Sequence, residues 1–496
     1  MKLKKMMLLA SCMLLTTTLA SCNNNDDTLS GTSNNSQTSY VPGDALDIEF
    51  WTTTGKGIEE NIAKLADDFE EIIYENEGRK INFSINNQGN YDGIKDKITQ
   101  GLSTGNYPTI AIAYPDHVAS YMADKPGSVV NLLPLINDEK IGFTKETIDE
   151  LDDKYGVDDF VQAYYQEGTN YAQEGVYSLP FLKSSEVMVV NQDYVLGQTF
   201  GRDRPIQKDD LANMTWDELM DICKYIVENK DSIKGLPADL ETPLWIDSDS
   251  NFFITQSMQR GIPYLGDGDT PDTKVLFNNP QAKEMVNEFY DCYNKGYFTT
   301  KGNNGGDYGS NAFKEGKVLI TLGSSGGVGY NDLGASSIEG VGVYKIPSAA
   351  ESEEDSLYVS QGITLCIMSN EGHGGAQVDQ ERINYAFRFI KYLLNPDNNV
   401  RLALSSEGYV PVRESAINSA KYQAYLEYDS ELLVKTAKCV INDINGAYYN
   451  LPIFKGSDVA RTAVEGIVGR FSQVKAGGKT IDQLFEEAEN QAKASL

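Results

Sequence analysis

The chain has 496 residues and carries 72 acidic against 42 basic side chains, a formal charge of −30. That length predicts more than one hydrophobic core, or one large discontinuous pair of lobes. That charge argues against a nucleic-acid surface, which needs a basic footprint for phosphates, and reads mainly as a solvated exterior.

At the start, Lys2, Lys4 and Lys5 precede an apolar run from Met6 to Leu15. The run is shorter than the roughly 20 residues a bilayer span requires, so residues 1–21 read as a secretory signal excluded from the fold. Leu19-Ala20-Ser21-Cys22 resembles a bacterial lipobox, which would make Cys22 the lipid-bearing first residue of the mature chain; an ordinary signal cut at Ala20-Ser21 is the alternative. Loss of the three lysines takes the charge from −30 to −33. Residues 22–43 hold almost nothing to bury and read as a flexible tether reaching roughly 25 Å. Two acyl chains hold a protein stably where one does not, so the expected location is extracytoplasmic, lipid-anchored to the outer face of a bacterial cell membrane. No later segment is apolar for long enough to cross a bilayer.

Beyond Pro42-Gly43, "LDIEFW" (46–51) predicts a strand. Residues 57–74 predict a helix, because Ile58, Ile62, Leu65, Ala66, Phe69, Ile72 and Ile73 recur at the 3.6-residue period. Alternating Ile81, Phe83 and Ile85 mark a second strand, followed by a helix over about 91–103 and an apolar strand at 109–114. This β-α-β-α-β order predicts a parallel sheet with helices on its faces, whose ligands bind beyond the carboxyl ends of the strands. Trp51 and Tyr114 close their strands at that edge and are candidate ligand contacts. A strand at 186–191 follows, then Thr215-Trp216-Asp217-Glu218, a T-x-x-E capping box opening a helix to about Asn229. Residues 280–294 predict another helix, and 317–325 and 358–368 two strands, while "KGNNGGDYGS" (301–310) reads as a surface loop or a crossing between lobes. After Gly375 the pattern is helical, over 382–394, 396–405, 430–444, 458–474 and 480–494. Of the six cysteines, Cys223, Cys292, Cys366 and Cys439 lie beyond the signal in no C-x-x-C pair and read as small buried apolar residues.

Gly323-Ser324-Ser325-Gly326-Gly327 matches the G-x-S-x-G pattern of a hydrolase nucleophile elbow, which raises a secreted esterase using Ser325. A serine nucleophile needs a histidine within hydrogen-bond reach. This chain has two histidines, and His373 follows Ser325 in the required order but sits in the Gly-rich "NEGHGG", with nothing to place it against the serine. Catalysis is therefore the alternative; the first reading is a loop whose glycines let the backbone approach a ligand. Asp247, Asp249 and Asn251 begin like an EF-hand, but Phe252 and Met258 replace the required Gly and Glu. "GGKT" (477–480) ends like a P-loop but has Gln473 in place of the first Gly. Neither a metal nor a cofactor is expected. What remains is Trp, Tyr, Ser, Gly, Gln and Asp at strand ends and turns, a mixture suited to sugars and polyols, whose C–H faces pack on rings while their hydroxyls need paired donors and acceptors.

Seven stretches in order resemble the extracellular solute-binding proteins of ATP-driven importers for sugars, polyols and glycerol-3-phosphate: the lipobox at Cys22, "IEFWT", "QGNYDGIKDKITQGLSTGNYPTIAIAYPDHVASYM", "YSLPFLKSSEVMVVNQDYV", "TWDELM", "FKEGKVLITLGSSGGVGY" and "FIKYLLNPDNNVRLALSSEGYVPVRESA". The resemblance implies an α/β, two-lobed periplasmic-binding-protein-like fold (type II), with discontinuous lobes joined by hinge strands that close on ligand, and a helical C-terminal part. The implied division is 44–184 plus 312–362 for the N-terminal lobe and 185–311 plus 363–496 for the C-terminal lobe. It also implies a monomer that is no enzyme, captures a carbohydrate, delivers it to the membrane subunits of a permease and binds no nucleic acid. Its ligand positions map onto Tyr91, Asp116, Ser184, Ser185, Ser324, Ser325, Gly362 and Tyr409, with Trp245 as an aromatic position in the second lobe. A second tryptophan of the glycerol-phosphate binders is missing near Trp245, and Val189-Val190-Asn191 stands where those members have Tyr-Tyr-Asn. Their late basic residue has only positional candidates, Lys455 and Arg461.

Overall fold

The structure of the protein, a computed structural model, describes residues 44–145, 151, 154–334, 337, 340–349, 357–428, 430–444 and 447–496. The expected signal (1–21), the tether (22–43) and Cys22 lie outside the described residues.

In chain order the strands are β1 (Leu46–Thr52), β2 (Ile81–Asn87), β3 (Ile110–Ala113), β4 (Leu179–Ser184), β5 (Glu186–Asn191), β6 (Leu244–Ile246), β7 (Phe298–Thr300), β8 (Ile320–Ser324), β9 (Val341–Lys345), β10 (Leu357–Val359), β11 (Gln361–Ile367) and β12 (Ala447–Tyr449). They form two five-stranded sheets, ordered β2-β1-β3-β11-β4 and β7-β6-β8-β5-β9, and a small β10-β12 pair. β1 runs parallel to β2 and β3, as the alternating order predicts, and β11 closes that sheet antiparallel to β3 and β4. In the second sheet β6 is parallel to β7 and β8, while β5 is antiparallel to β8 and β9.

The helices form where apolar spacing and caps call for them. Lys56–Glu77 buries Ile58, Ile62, Leu65, Ala66, Phe69 and Ile73, and stops at Gly78, whose φ of 68° is the left-handed cap that glycine adopts without strain. Thr215 and Glu218 make both bonds of the capping box at the head of Trp216–Asn229. The continuous helix expected over 458–474 is instead Ser457–Val468 and Phe471–Lys475. The break at Gly469 lets the loop at Gly302 approach so closely that a Cβ on Gly302 would lie 2.6 Å from the Gly469 Cα.

Both sheets are covered on both faces. On the first, Ile48 and Phe50 pack with Ile62, Phe69 and Phe389, while Trp51 and Ala111 turn to Ile94, Tyr121 and Cys366 on the other side. On the second, Met188, Leu244 and Ile246 pack with Trp216, Phe252 and Val464, while Val187, Val189 and Trp245 turn to Phe313, Val400 and Tyr422. The result is two lobes, each a helix–sheet–helix sandwich. Strand pairing departs from the expected division at two points: β8 and β9, within residues 312–362, belong to the second sheet, and β11 with the helix Ala376–Leu393 belongs to the first. A strand buried on both faces is an unbroken apolar run, so nothing in its pattern names its neighbours. The single strand expected over 358–368 is likewise divided at Ser360 between β10 and β11. Cys223 and Cys366 are buried, and Cys292 and Cys439 are half-buried. Among the described residues no helix is long and apolar enough to cross a membrane.

Candidate functional site

Between the two sheets lies a cleft of about 760 Å³. One wall comes from the first lobe. Asn90 caps the helix Tyr91–Leu102 by accepting the Gly93 N–H at 2.8 Å, which fixes Tyr91 at the rim, and β3 is followed by Tyr114-Pro115-Asp116, where Pro115 turns the chain into a helix. Both turns follow carboxyl ends of parallel strands, the expected location for a ligand. The Tyr91 and Tyr114 rings stack at 4.2 Å, and the Tyr91 hydroxyl lies 3.4 Å from that of Tyr409. Burial raises the pKa of all three phenols, so they stay protonated and can donate as well as accept.

The facing wall comes from the second lobe. Tyr308 and Tyr330 line the cleft while 59% and 56% exposed, although large aromatic side chains usually bury their faces. Lys301 Nζ donates to the Tyr308 hydroxyl at 3.1 Å and lies 4.3 Å from its ring centre. Burial opposes the Lys301 charge, but this bond and the nearby Glu465 and Asp247 carry its pKa above the ordinary lysine value. Asp247 accepts the Gly309 N–H at 2.7 Å; burial still lifts its pKa to about 6. Arg461 donates to Asn251 Oδ1 at 2.8 Å and lies 5.4 Å from the Tyr114 ring centre, while the Asn251 amide donates to Glu186 Oε1 at 3.2 Å.

The floor is the pair of crossings between sheets. Ser184 ends β4 and Glu186 starts β5, so Ser185 alone spans the gap, and Ser360 alone separates β10 from β11. Lys183 and Glu167 form an ion pair there, with side chains 1% and 6% exposed, and Ser360 donates to the same carboxylate. Ser324 Oγ donates to Ser184 Oγ at 3.3 Å across the two sheets. Gly362, at φ 117°, lies against Lys183, where a Cβ would come 2.6 Å from the Leu182 carbonyl oxygen.

The cleft therefore gathers Tyr91, Asp116, Ser184, Ser324, Gly362 and Tyr409 from the expected set, together with Arg461. Five other expected positions do not line it. Ser185 and Ser325 are fully buried behind the floor, where the Ser185 N–H donates to Ser325 Oγ at 3.3 Å and the Ser325 N–H to the Ser185 carbonyl at 2.8 Å. The Ser325 hydroxyl thus binds the backbone at the crossing and no histidine, which leaves the esterase reading without a nucleophile presented to substrate. Trp51 is 7% exposed and donates to Glu49 at 2.7 Å; alternation along β1 turns it into the core with Ile94 and Tyr121. Trp245, also 7% exposed, lies against Gly309, where a Cβ would meet the indole at 2.7 Å. Lys455 sits outside the cleft, 3.9 Å from Asp124. Sequence reasoning missed Tyr308, Tyr330, Lys301 and Asn251. Tyr308 lies in the Gly-rich patch that follows β7, a three-residue strand, and recognising that strand would have marked the patch as another carboxyl-end loop.

The family model for bacterial extracellular solute-binding proteins matches residues 64–429. No curated protein matches the sequence. Among solved structures, the GacH receptor of Streptomyces glaucescens, known unliganded and with acarbose, is similar at a TM-score of 0.66 and 16% identity, over 91% of this chain and 98% of that one. Maltose-bound MalE3 of T. maritima is similar at 0.63 and 15%, over 91% and 100%. UgpB from Mycobacterium tuberculosis, in complex with glycerophosphocholine, is similar at 0.62 and 15%, over 90% and 98%. At such identities the likeness is one of fold.

Proposed function

The chain belongs to the bacterial extracellular solute-binding proteins, which capture solutes outside the cytoplasm and are not enzymes, and from that premise we propose that its cleft takes a carbohydrate. The observation that carries this reading is the two-sided aromatic lining: Tyr91, Tyr114 and Tyr409 on one wall and the exposed Tyr308 and Tyr330 on the other, with hydroxyl and carboxylate groups between them. A pyranose ring has two apolar C–H faces and a polar edge, the shape such a lining complements. The acarbose and maltose bound by GacH and MalE3, proteins of the same fold, support this class, and the glycerophosphocholine of UgpB keeps polyol phosphates within it.

In this reading Tyr91, Asp116, Ser184, Ser324, Gly362 and Tyr409 contact the ligand, joined by Tyr308 and Tyr330. The lobes turn about Ser185 and Ser360, with residues 186–345 in the second lobe, 361–393 returned to the first, and 396–417 packed against both. The loaded protein, a monomer held by a lipid on Cys22 to the outer face of the membrane, presents its ligand to the permease of an ATP-driven importer and performs no chemistry on it.

A thermal-shift screen against neutral sugars, oligosaccharides, polyols and glycerol phosphates tests the proposal. A ligand at 100 times its Kd adds about 2.7 kcal/mol to stability. Silence across the panel from a folded sample, with a response to peptides or amino acids instead, would overturn the carbohydrate reading.

A further inference from the structure

Away from the cleft, a second group of polar side chains joins the lobes. Lys95, on the helix Tyr91–Leu102, forms an ion pair with Asp458 at the head of the helix Ser457–Val468, and Ser120 Oγ donates to Asp458 Oδ1 at 2.9 Å. The helices that carry Lys95 and Ser120 pack through Ile94, Ile98, Val118 and Tyr121 against β3, in the first lobe. The helix that carries Asp458 packs through Ala460, Ala463, Val464 and Ile467 into the core of the second. Both contacts therefore run from one lobe to the other. None of the three residues lines the cleft, so none needs a ligand to meet its partner.

The site is nearly dry. The Asp458 side chain is 3% exposed, whereas that of Lys95 keeps 21%. His117 faces the same group with a buried Nδ1 that has no partner, and Asp116 and Arg461 are the other charges around it. Burial first of all, then the Lys95 and Arg461 cations, hold the His117 pKa below the ordinary value despite Asp116 and Asp458, so the ring is neutral and adds no charge to the pair.

We propose that Lys95, Ser120 and Asp458 form an interlobe latch that holds the closed arrangement without ligand, so that the empty protein is largely closed. The proposal rests on the turning of the lobes and not on what the ligand is. Its consequence for capture follows from population arithmetic: a ligand that closes the lobes gains apparent affinity in proportion to the fraction already closed.

The two partners are unequal, and that gives the latch a signature. Lys95→Met removes the cation paired with the buried Asp458 carboxylate and leaves Arg461 as the one positive charge named around it, a state relieved as soon as the lobes part and water reaches it. Asp458→Asn keeps the Ser120 hydrogen bond and leaves only a lysine that already touches solvent. Lys95→Met should therefore open the empty protein more than Asp458→Asn does, and adding Asp458→Asn to Lys95→Met should close it again in part.

Small-angle scattering of the full chain, purified free of ligand, reads these states directly. The expected result is a compact wild type, an enlarged radius of gyration for Lys95→Met with the closed-to-open ratio lowered at least tenfold, a smaller change for Asp458→Asn, and partial recovery in the double variant. The charge swap of Lys95→Asp with Asp458→Lys should restore compactness further, and circular dichroism on each sample separates opening from unfolding. A wild type whose scattering fits only an opened shape overturns the latch without reference to any variant. So does a folded Lys95→Met protein with the wild-type radius.

Discussion

Glu186 offers a test in which a buried charge is removed and stability should rise. The residue opens β5, is 7% exposed and accepts a hydrogen bond from Asn251. Burial lifts its pKa from the ordinary 4.5 to about 7, against the opposing pull of Asn251 and of the Arg461 charge. A carboxyl that holds its proton more tightly when folded loses stability as pH rises. Below about pH 4.5 it is protonated in both states and the penalty is absent. Between 4.5 and about 7 the folded chain keeps a proton that the unfolded chain has released, and each pH unit lowers the unfolding free energy by about 1.36 kcal/mol. Above that window both states are ionised and the penalty stays at its full size, on the order of 3 kcal/mol by the same conversion. Glu186→Gln cannot ionise, and its amide oxygen still accepts from Asn251. The variant should therefore exceed the parent in stability by about 3 kcal/mol at pH 8 and match it near pH 4.5, a gap that urea unfolding at the two pH values measures. A variant no more stable than the parent at pH 8, or a gap that persists unchanged at pH 4.5, would refute the reasoning.

Three further outcomes are expected. Lys183→Met strands the Glu167 carboxylate at the floor and should cost about 3–5 kcal/mol in urea unfolding, most of it recovered when Glu167→Leu is added; two equally unstable proteins would rule out the buried charge as the cause. Gly408→Ala faces both a φ of 133° and a Cβ 2.0 Å from the Ser325 carbonyl oxygen, whereas Gly78→Ala at φ 68° meets nothing within 4 Å. The second should cost about 1 kcal/mol and the first at least 2 kcal/mol more, and similar melting temperatures for the two would contradict the close approach at Ser325. With any sugar identified by the screen, titration calorimetry on Tyr114→Ala should show Kd raised about tenfold, as a lost aromatic contact of about 1.4 kcal/mol implies, while Ser325→Ala stays within about threefold of the parent. The reverse order would move Ser325 back into the cleft's chemistry.

Local features were legible wherever one residue type at a fixed spacing carries the physics. The helix over Ile58–Ile73, the Thr215–Glu218 box and the parallel start of the first sheet all follow from short-range pattern. Sheet membership was not legible, because β8 and β11 are buried along almost their whole length and show no polar–apolar alternation to name a neighbour. Among the site residues the difficulty was parity. Ser184 and Ser185 are adjacent, as are Ser324 and Ser325, and successive side chains of an extended chain point opposite ways, so one of each pair reaches the cleft and the other is buried behind it, where Ser325 Oγ accepts the Ser185 N–H. Trp51 and Trp245 turned inward for the same reason, and an exposed ring on the second lobe's side of the cleft belongs instead to Tyr308, in a Gly-rich loop whose composition suggests only a turn.

The one-residue crossings at Ser185 and Ser360 also govern how the chain can change in length. An extended backbone repeats every two residues, so one residue inserted at either point would turn each following side chain of the strand to the opposite face of its sheet. In β5 that would exchange the layer holding Met188 and Val190 for the one holding Val187 and Val189, and in β11 it would reverse which core receives Cys366. Chain length at these two points is therefore quantised in steps of two, while surface loops face no such rule.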